Sequence, residues 1–205
     1  MRSDKVIAYI DGFNLYHGLR DKGWRCYYWL DLNHLCQCLL KKGQHLLMVK
    51  YFTARIKAPQ DKRKRQSTYL EALNTIGGTK LYYGKYQLTP IKCASCGHEF
   101  SSPEEKMTDV QLAVEMVSDA CQNKCDIALL ISGDIDLVPS IEVIRSRCPN
   151  KRVVVVFPPM RSCDELRRIA HGFLHITESI LRKSLLPMEI YKSNNYPLKC
   201  PIEWS

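Results

Sequence analysis

The chain has 205 residues, is 45% hydrophobic and 25% charged, and carries a formal net charge of +9. That composition is ordinary for one compact globular domain with a small appendage. No apolar run reaches the length of a membrane span, and "MRSDKVIAYIDGFN" does not read as a secretory signal, because Asp11 follows so short an apolar stretch.

Most of the excess Lys and Arg lies in the first hundred residues, while the remainder is nearly neutral and holds clustered acids. The asymmetry suits a polyanionic partner met by a local acidic site, although solubility alone accounts for it about as well. Ten cysteines without a secretory signal point to reduced thiols in the cytoplasm, some available to a metal, rather than to disulfides.

In chain order, "KVIAYID" (5–11) is a buried strand, and residues 12–23 turn away from it into a short helix. "DLNHLCQCLLKKG" (31–43) reads as a helix with Asp31 as N-cap and Gly43 as its stop. Residues 45–56 are strand-like, 59–78 make a basic turn and a helix ending at paired glycines, and 79–89 are a strand. "CASCGHEFSSPEEK" (93–106) reads as irregular and 107–121 as helical. A strand (125–132), a helix (136–148) and a strand (151–159) follow, then a short helix (163–170), a strand (173–177) and a last helix from residue 178. The tail from Leu186 has little periodicity and either wraps the surface or frays. Strand and helix alternate, and "CDIALLIS" and "RVVVVF" are apolar on both faces. The expected class is therefore α/β, a parallel sheet with helices on each side.

The stretch "ALLISGDIDLVPSI" (128–141) ends an apolar strand in Asp134 and Asp136, and Asp11 ends the first strand. In an open parallel sheet, ligands bind where strand carboxyl ends open at a topological switch point. If these two strands are neighbours, their acids converge on one rim. Asp109 heads the stripe Leu112, Ala113, Met116 of the helix from 107 and adds a fourth acid. Singly, each has a structural explanation: Asp109 compensates a helix dipole, Asp134 makes a turn beside Gly133, and Asp136 caps a helix. Together, carboxylates so close cannot all stay ionised without a cation, and Mg²⁺ takes such oxygens. A cation there can activate water against a phosphodiester.

"YIDGFNLYHGL" (9–19), "EEKMTDVQLAVEM" (104–116) and "LLISGDIDLVPSIEVIR" (129–145) resemble the three signature segments of the NYN-domain family, of the LabA-like kind, within the PIN-like nuclease superfamily. The resemblance covers residues 4–180. It implies a Rossmann-like three-layer sandwich with a mainly parallel central sheet, a bound Mg²⁺ or Mn²⁺, and cleavage of RNA. The domain would carry a Cys-x-x-Cys loop insertion near 90–104, leaving 181–205 as a helix end and tail. Carried over by motif position, Asp11, Asp109, Asp134 and Asp136 would be the metal-binding acids. Asn14 would help bind substrate or water, Ser132 would shape the loop before Asp134, and Lys106 would touch phosphate. The family often has an acidic or small polar residue where this chain reads His171, which is assigned no role.

"CASCGHEF" presents Cys93 and Cys96 at the spacing of a zinc knuckle, with two further ligands unassigned and two free thiols as the alternative. Cys121 and Cys125 form a second candidate pair. Arg63, Lys64 and Arg65 lie in the run "DKRKRQ", which either is a solvated turn or, with Lys57, Lys80, Lys85 and Arg161, forms a phosphate-binding rim. Tyr82, Tyr83 and Tyr86 offer aromatic faces to single-stranded nucleic acid, although strand alternation places at least one of Tyr82 and Tyr83 in the core. The leading expectation is a cytoplasmic, Mg²⁺- or Mn²⁺-dependent endoribonuclease acting on single-stranded RNA without a membrane partner, with homo-oligomerisation left open. The alternative is a non-catalytic nucleic-acid-binding or regulatory module on the same fold. A phosphatase using Asp11 as nucleophile is weaker, since a phosphoaspartyl mechanism wants an acid two residues on and finds Phe13.

Overall fold

The structure, a computed structural model, describes residues 3–92 and 94–204. The chain runs β1 (Asp4–Asp11), α1 (Gly12–Asp21), α2 (Leu32–Cys38), β2 (Gln44–Thr53), α3 (Gln60–Ile76) and β3 (Thr79–Tyr83). It continues through β4 (Lys85–Lys92), β5 (Glu99–Lys106), α4 (Thr108–Cys121), β6 (Ile127–Ile131), α5 (Val138–Arg147) and β7 (Arg152–Phe157). It closes with α6 (Asp164–Ile169), β8 (Gly172–His175), α7 (Glu178–Lys183), β9 (Glu189–Tyr191) and β10 (Pro197–Lys199).

Six strands form one sheet in the order β3-β2-β1-β6-β7-β8, and every neighbouring pair is parallel. Side-chain alternation splits β1 between two cores. Val6, Ala8 and Ile10 pack with leucines of α1, α2, α3 and α7, whereas Ile7 and Tyr9 pack with α4, α5 and α6. From Val6 onward β1 is buried on both faces, and it is apolar without interruption up to Asp11. The chain builds outward from β1 to β3 on one side, then returns to place β6 on the other. The switch point therefore lies between β1 and β6, where Ile10 pairs with Ile131.

Three sequence readings differ from the structure. The helix after Asp31 stops at Cys38, well short of Gly43, although Asp31 caps it by accepting the His34 amide. The strand expected over 79–89 divides at Gly84. A Cβ there would stand 2.7 Å from the Lys106 carbonyl oxygen, so the chain crosses the entrance of α4 where only glycine fits. Finally, 93–106 is not irregular throughout, since β5 pairs antiparallel with β4 from Lys85–Lys106 to Lys92–Glu99. Pro90 and Pro103 argue against strand in the sequence, but a two-stranded ribbon leaves one edge of each strand unpaired and tolerates them. The tail is packed: β9 and β10 pair, and Trp204 meets Tyr28, Trp29 and Tyr69 with ring centroids 5.6–6.5 Å apart.

Candidate active site

Asp11 is the last residue of β1 and the N-cap of α1, so one carboxylate ends a strand and starts a helix. Its Oδ1 accepts the Asn14 amide at 2.9 Å and its Oδ2 accepts the Ser132 hydroxyl at 2.9 Å. The turn is tight because α1 lies close on β2: a Cβ on Gly12 would sit 2.6 Å from the Phe52 carbonyl oxygen. Ser132, fully buried, also accepts the Asp134 amide at 3.1 Å. Asn14 Oδ1 accepts the Gly133 amide at 2.9 Å, which ties the loop after β6 to α1.

Asp109 arrives from the opposite layer. Leu112 and Met116 bury the inner stripe of α4 against the sheet, and Asp109, one turn earlier, is thereby carried to the sheet's rim. Met107, before it, holds a left-handed φ of 87°, a costly conformation for a residue with a Cβ. Glu105 accepts the Thr108 amide at 3.1 Å.

Ligand oxygens of Asp11, Asp109 and Asp134 all lie within 4.8 Å of one another. Burial pushes the Asp11 carboxyl up to about 7, and the charges of Asp109 and Asp134 add to the rise. Burial likewise pushes Asp109 up to about 6, helped by Asp134, Glu105 and Asp136. Shifts of this origin mark carboxylates held together against their repulsion. The donor set is all oxygen and trianionic when ionised, which suits a hard divalent cation. The Thr108 hydroxyl beside Asp109 is buried with no hydrogen-bond partner among the described residues, so the site also holds an unmatched polar atom.

Asp136 stands outside this group. It is exposed in the 3-10 turn Ile135–Leu137, and its amide donates to Asp134 Oδ1 at 3.0 Å, so it shapes the loop. Asn14 Oδ1 holds Gly133, and the Ser132 hydroxyl holds Asp11 and Asp134, so both side chains brace the loop after β6. Lys106 is exposed at the end of β5. Arg63 and Lys64 are exposed on α3, which packs on the sheet face opposite α4, while Arg65 is engaged by Asp61 and Glu203. Arg161 pairs with Asp21 at 2.6 Å and lines an open groove with Asn14, Gly133, Asp134, Ser162 and Glu165.

Cys93 lies outside the described residues, and Cys96 is exposed. Among the described residues, Asp11, Asp109 and Asp134 are the one convergent group of three potential metal ligands. Cys121 and Cys125 do not pair: Cys121 faces Cys148 with sulfurs 3.2 Å apart, and Cys125 is buried under Ile7 and Tyr9. His171 accepts the Val153 amide at the start of β7, at the end of the sheet away from the acids. Glu105 was not singled out from sequence. Its acidity before "MTD" was visible, but the hairpin that brings it to Asp109 was not.

A doubly wound parallel sheet with acids at its switch point is the three-layer α/β fold of PIN-like proteins, a nuclease type. Residues 5–178 match the NYN domain, and the chain belongs to that PIN-like nuclease family. It is 30% identical to 6-hydroxy-3-succinoylpyridine 3-monooxygenase HspA of Pseudomonas putida, across 91% of this chain and 71% of that protein. A crystal structure of a protein of unknown function from Vibrio parahaemolyticus shares the fold, with a TM-score of 0.61 at 20% identity, covering 90% of this chain and 98% of that one. No helix among the described residues is long and apolar enough to cross a membrane.

Proposed function

We propose that the protein is a divalent-cation-dependent endoribonuclease that cuts single-stranded RNA at Asp11, Asp109 and Asp134. The observation that carries this is the convergence of three carboxylates within 4.8 Å at the switch point of a parallel sheet. Mg²⁺ or Mn²⁺ bound there supplies the positive charge that a scissile phosphate and an attacking water need.

The chain's own residues set the geometry. Each oxygen of Asp11 already accepts one hydrogen bond, so the carboxylate is fixed in rotation and offers its remaining lone pairs to a cation. Asp134 is held through its amide by Ser132 and through Oδ1 by the Asp136 amide. Asp109, half-buried on α4, is carried to the same point from the opposite layer by the buried stripe of Leu112 and Met116. The groove past Asn14 and Arg161 leaves one side open for a strand.

The name of the Pseudomonas relative describes oxygenation of a hydroxylated pyridine. The geometry here favours hydrolysis instead. In a dinucleotide-binding sheet, the turn after the first strand is glycine-rich and offers helix amides to a pyrophosphate. Here Asp11 caps those amides itself and would repel an anionic group.

The test is cleavage of a labelled mixed-sequence single-stranded RNA with EDTA, Mg²⁺ or Mn²⁺, beside Asp134→Asn. Cation-dependent cleavage that vanishes in the variant supports the nuclease. RNA binding without cleavage in any condition would hand the fold to a non-catalytic binding role.

A further inference from the structure

The three carboxylates account for a cut phosphate but not for the bases beside it. We propose that Phe13, Tyr16 and Tyr86 form a stacking platform for unpaired nucleobases flanking the carboxylates. The proposal rests on the nuclease reading and names what that site grips.

The first support is placement. Asp11 is the N-cap of α1, and Phe13 is two residues further on. Phe13, Tyr16, His17 and Arg20 stand at i, i+3, i+4 and i+7, hence along one side of the helix. The core uses a different side, through Gly12, Leu15, Gly18 and Leu19. The aromatic stripe is therefore not what fastens α1 to the sheet.

The rings form a connected surface. Phe13 meets Tyr86 edge-on, centroids 6.1 Å apart at 85°, and lies nearly parallel to His17 at 6.3 Å. Tyr16 meets His17 at 5.3 Å and Tyr28 at 5.0 Å. Tyr16 is 38% exposed, and Phe13 and Tyr86 are half-buried, so ring area remains accessible. Tyr86 pairs across the hairpin with Glu105, whose charge reaches Asp109. The rings thus lie on the helix that Asp11 caps and on the hairpin whose Glu105 acts on Asp109.

Alternative aromatic candidates are committed elsewhere. Tyr82 stacks on Phe52 at 4.7 Å and donates to Glu115, and Tyr83 lies under the Arg55 guanidinium at 4.7 Å. Tyr86 has no such commitment to the main sheet.

Charge favours a polyanion over a protein partner. Beyond the rings lie Lys22 and Arg25, on a chain of net charge +9, while Arg20 is engaged by Asp21. Aromatic faces beside cations hold single-stranded nucleic acid with little sequence preference, because every base has a π-face. A near-perpendicular ring pair offers one base a face to stack on and an edge to stop against. A duplex keeps its bases stacked within itself and cannot use such a surface.

The test measures RNA binding in the Asp134→Asn background, so that the strand is not consumed. The probes are a 12-nucleotide RNA carrying 2-aminopurine and a fully paired duplex of the same length. Stacking quenches the 2-aminopurine emission on binding. Tyr86→Ala should remove most of that quenching and weaken single-strand binding about tenfold or more, with duplex binding unchanged. Phe13→Leu keeps an apolar packing group, should Phe13→Ala fail to fold, and is expected to act in the same direction. If wild type binds and cleaves RNA while Tyr86→Ala and Phe13→Leu bind as tightly as their parent, the platform is overturned and the nuclease stands. If wild type neither binds nor cleaves RNA, both are overturned. Unchanged RNA binding with loss of self-association in Tyr16→Ala would assign the rings to a second copy of the chain.

Discussion

Ser132 donates its hydroxyl to Asp11 Oδ2 at 2.9 Å, while its oxygen accepts the amide of Asp134 at 3.1 Å. One buried hydroxyl thus sets the spacing of two carboxylates from adjacent strands. Ser132→Ala leaves Asp11 and the Asp134 amide each short of a partner inside the protein. The variant should lose about 1–3 kcal/mol of stability in urea unfolding. Its cation affinity should fall as well, because the two acids lose their common anchor. Unaltered unfolding would mean that the loop after β6 finds its position without Ser132.

Asp11→Asn separates repulsion from capping. Asparagine caps a helix as well as aspartate, so the Asn14 amide keeps its acceptor. The negative charge beside Asp109 and Asp134 is gone. In EDTA the variant should therefore melt at or above the wild-type temperature. Wild type should gain about 2.7 kcal/mol when Mn²⁺ reaches a hundred times its dissociation constant, whereas the variant should gain almost nothing. A thermal-shift titration with MnCl₂ reads both quantities, and an equal gain in the two proteins would place the cation elsewhere.

Asp134 and Asp136 look equivalent in "SGDIDL" but not in space. Asp134 belongs to the group of three, whereas Asp136 is exposed and gives its amide to Asp134. Asp134→Asn should abolish RNA cleavage. Asp136→Asn keeps the backbone amide that holds Asp134, so it should leave most of the cleavage in place. Equal losses in the two variants would restore Asp136 to the group.

The difference between these two aspartates shows where sequence legibility ends. The doubly wound sheet was readable because β1, β6 and β7 are apolar on both faces, and a strand that ends in an acid announces its own rim. Asp109 was readable because helical spacing links it to Leu112 and Met116. Asp134 and Asp136 look alike two residues apart in the sequence, and only the 3-10 turn Ile135–Leu137 sets them apart in space. The β4–β5 hairpin was only half visible. Its strands carry prolines and little alternation, and their pairing depends on Gly84 passing close to Lys106, a tertiary contact that leaves no local pattern. The engagement of Arg65 by Glu203, 138 residues away, is equally non-local and leaves no mark in the run around it.

Gly12 tests the close contact behind the "DGFN" turn. A Cβ there would stand 2.6 Å from the Phe52 carbonyl oxygen and 2.7 Å from the Tyr51 ring. Neither the strand backbone nor the buried ring can yield cheaply, so Gly12→Ala should cost about 1–3 kcal/mol and shift α1 outward. The Asp11 cap would move with it, weakening cation binding in the same protein. Gly172→Ala is the control, since its Cβ would meet nothing within 4 Å, and it should leave both properties unchanged.

Beneath the site, Lys50 joins the layers through Asp119 and Glu115 on α4, and the Tyr9 hydroxyl donates to Asp119 at 2.7 Å. Burial pushes the Asp119 carboxyl up, but hydrogen bonds from Lys50, Tyr9 and Lys124 outweigh it and hold the group below its usual 3.8. A depressed folded-state value means that the unfolded chain binds the proton more readily. The contribution to stability is therefore complete above 3.8 and is lost as the pH falls through the lower folded value. Asp119→Asn should be clearly less stable than wild type at pH 7, and the gap should shrink once the pH drops below 3.8. Lys50→Met removes the buried cation and leaves Asp119 with only the Tyr9 hydroxyl and the exposed Lys124, and should cost about 1–3 kcal/mol at neutral pH. Urea unfolding at pH 7, 4 and 3 measures all three proteins. A gap between wild type and Asp119→Asn that stays constant across that range would show that the network holds α4 by packing rather than by charge.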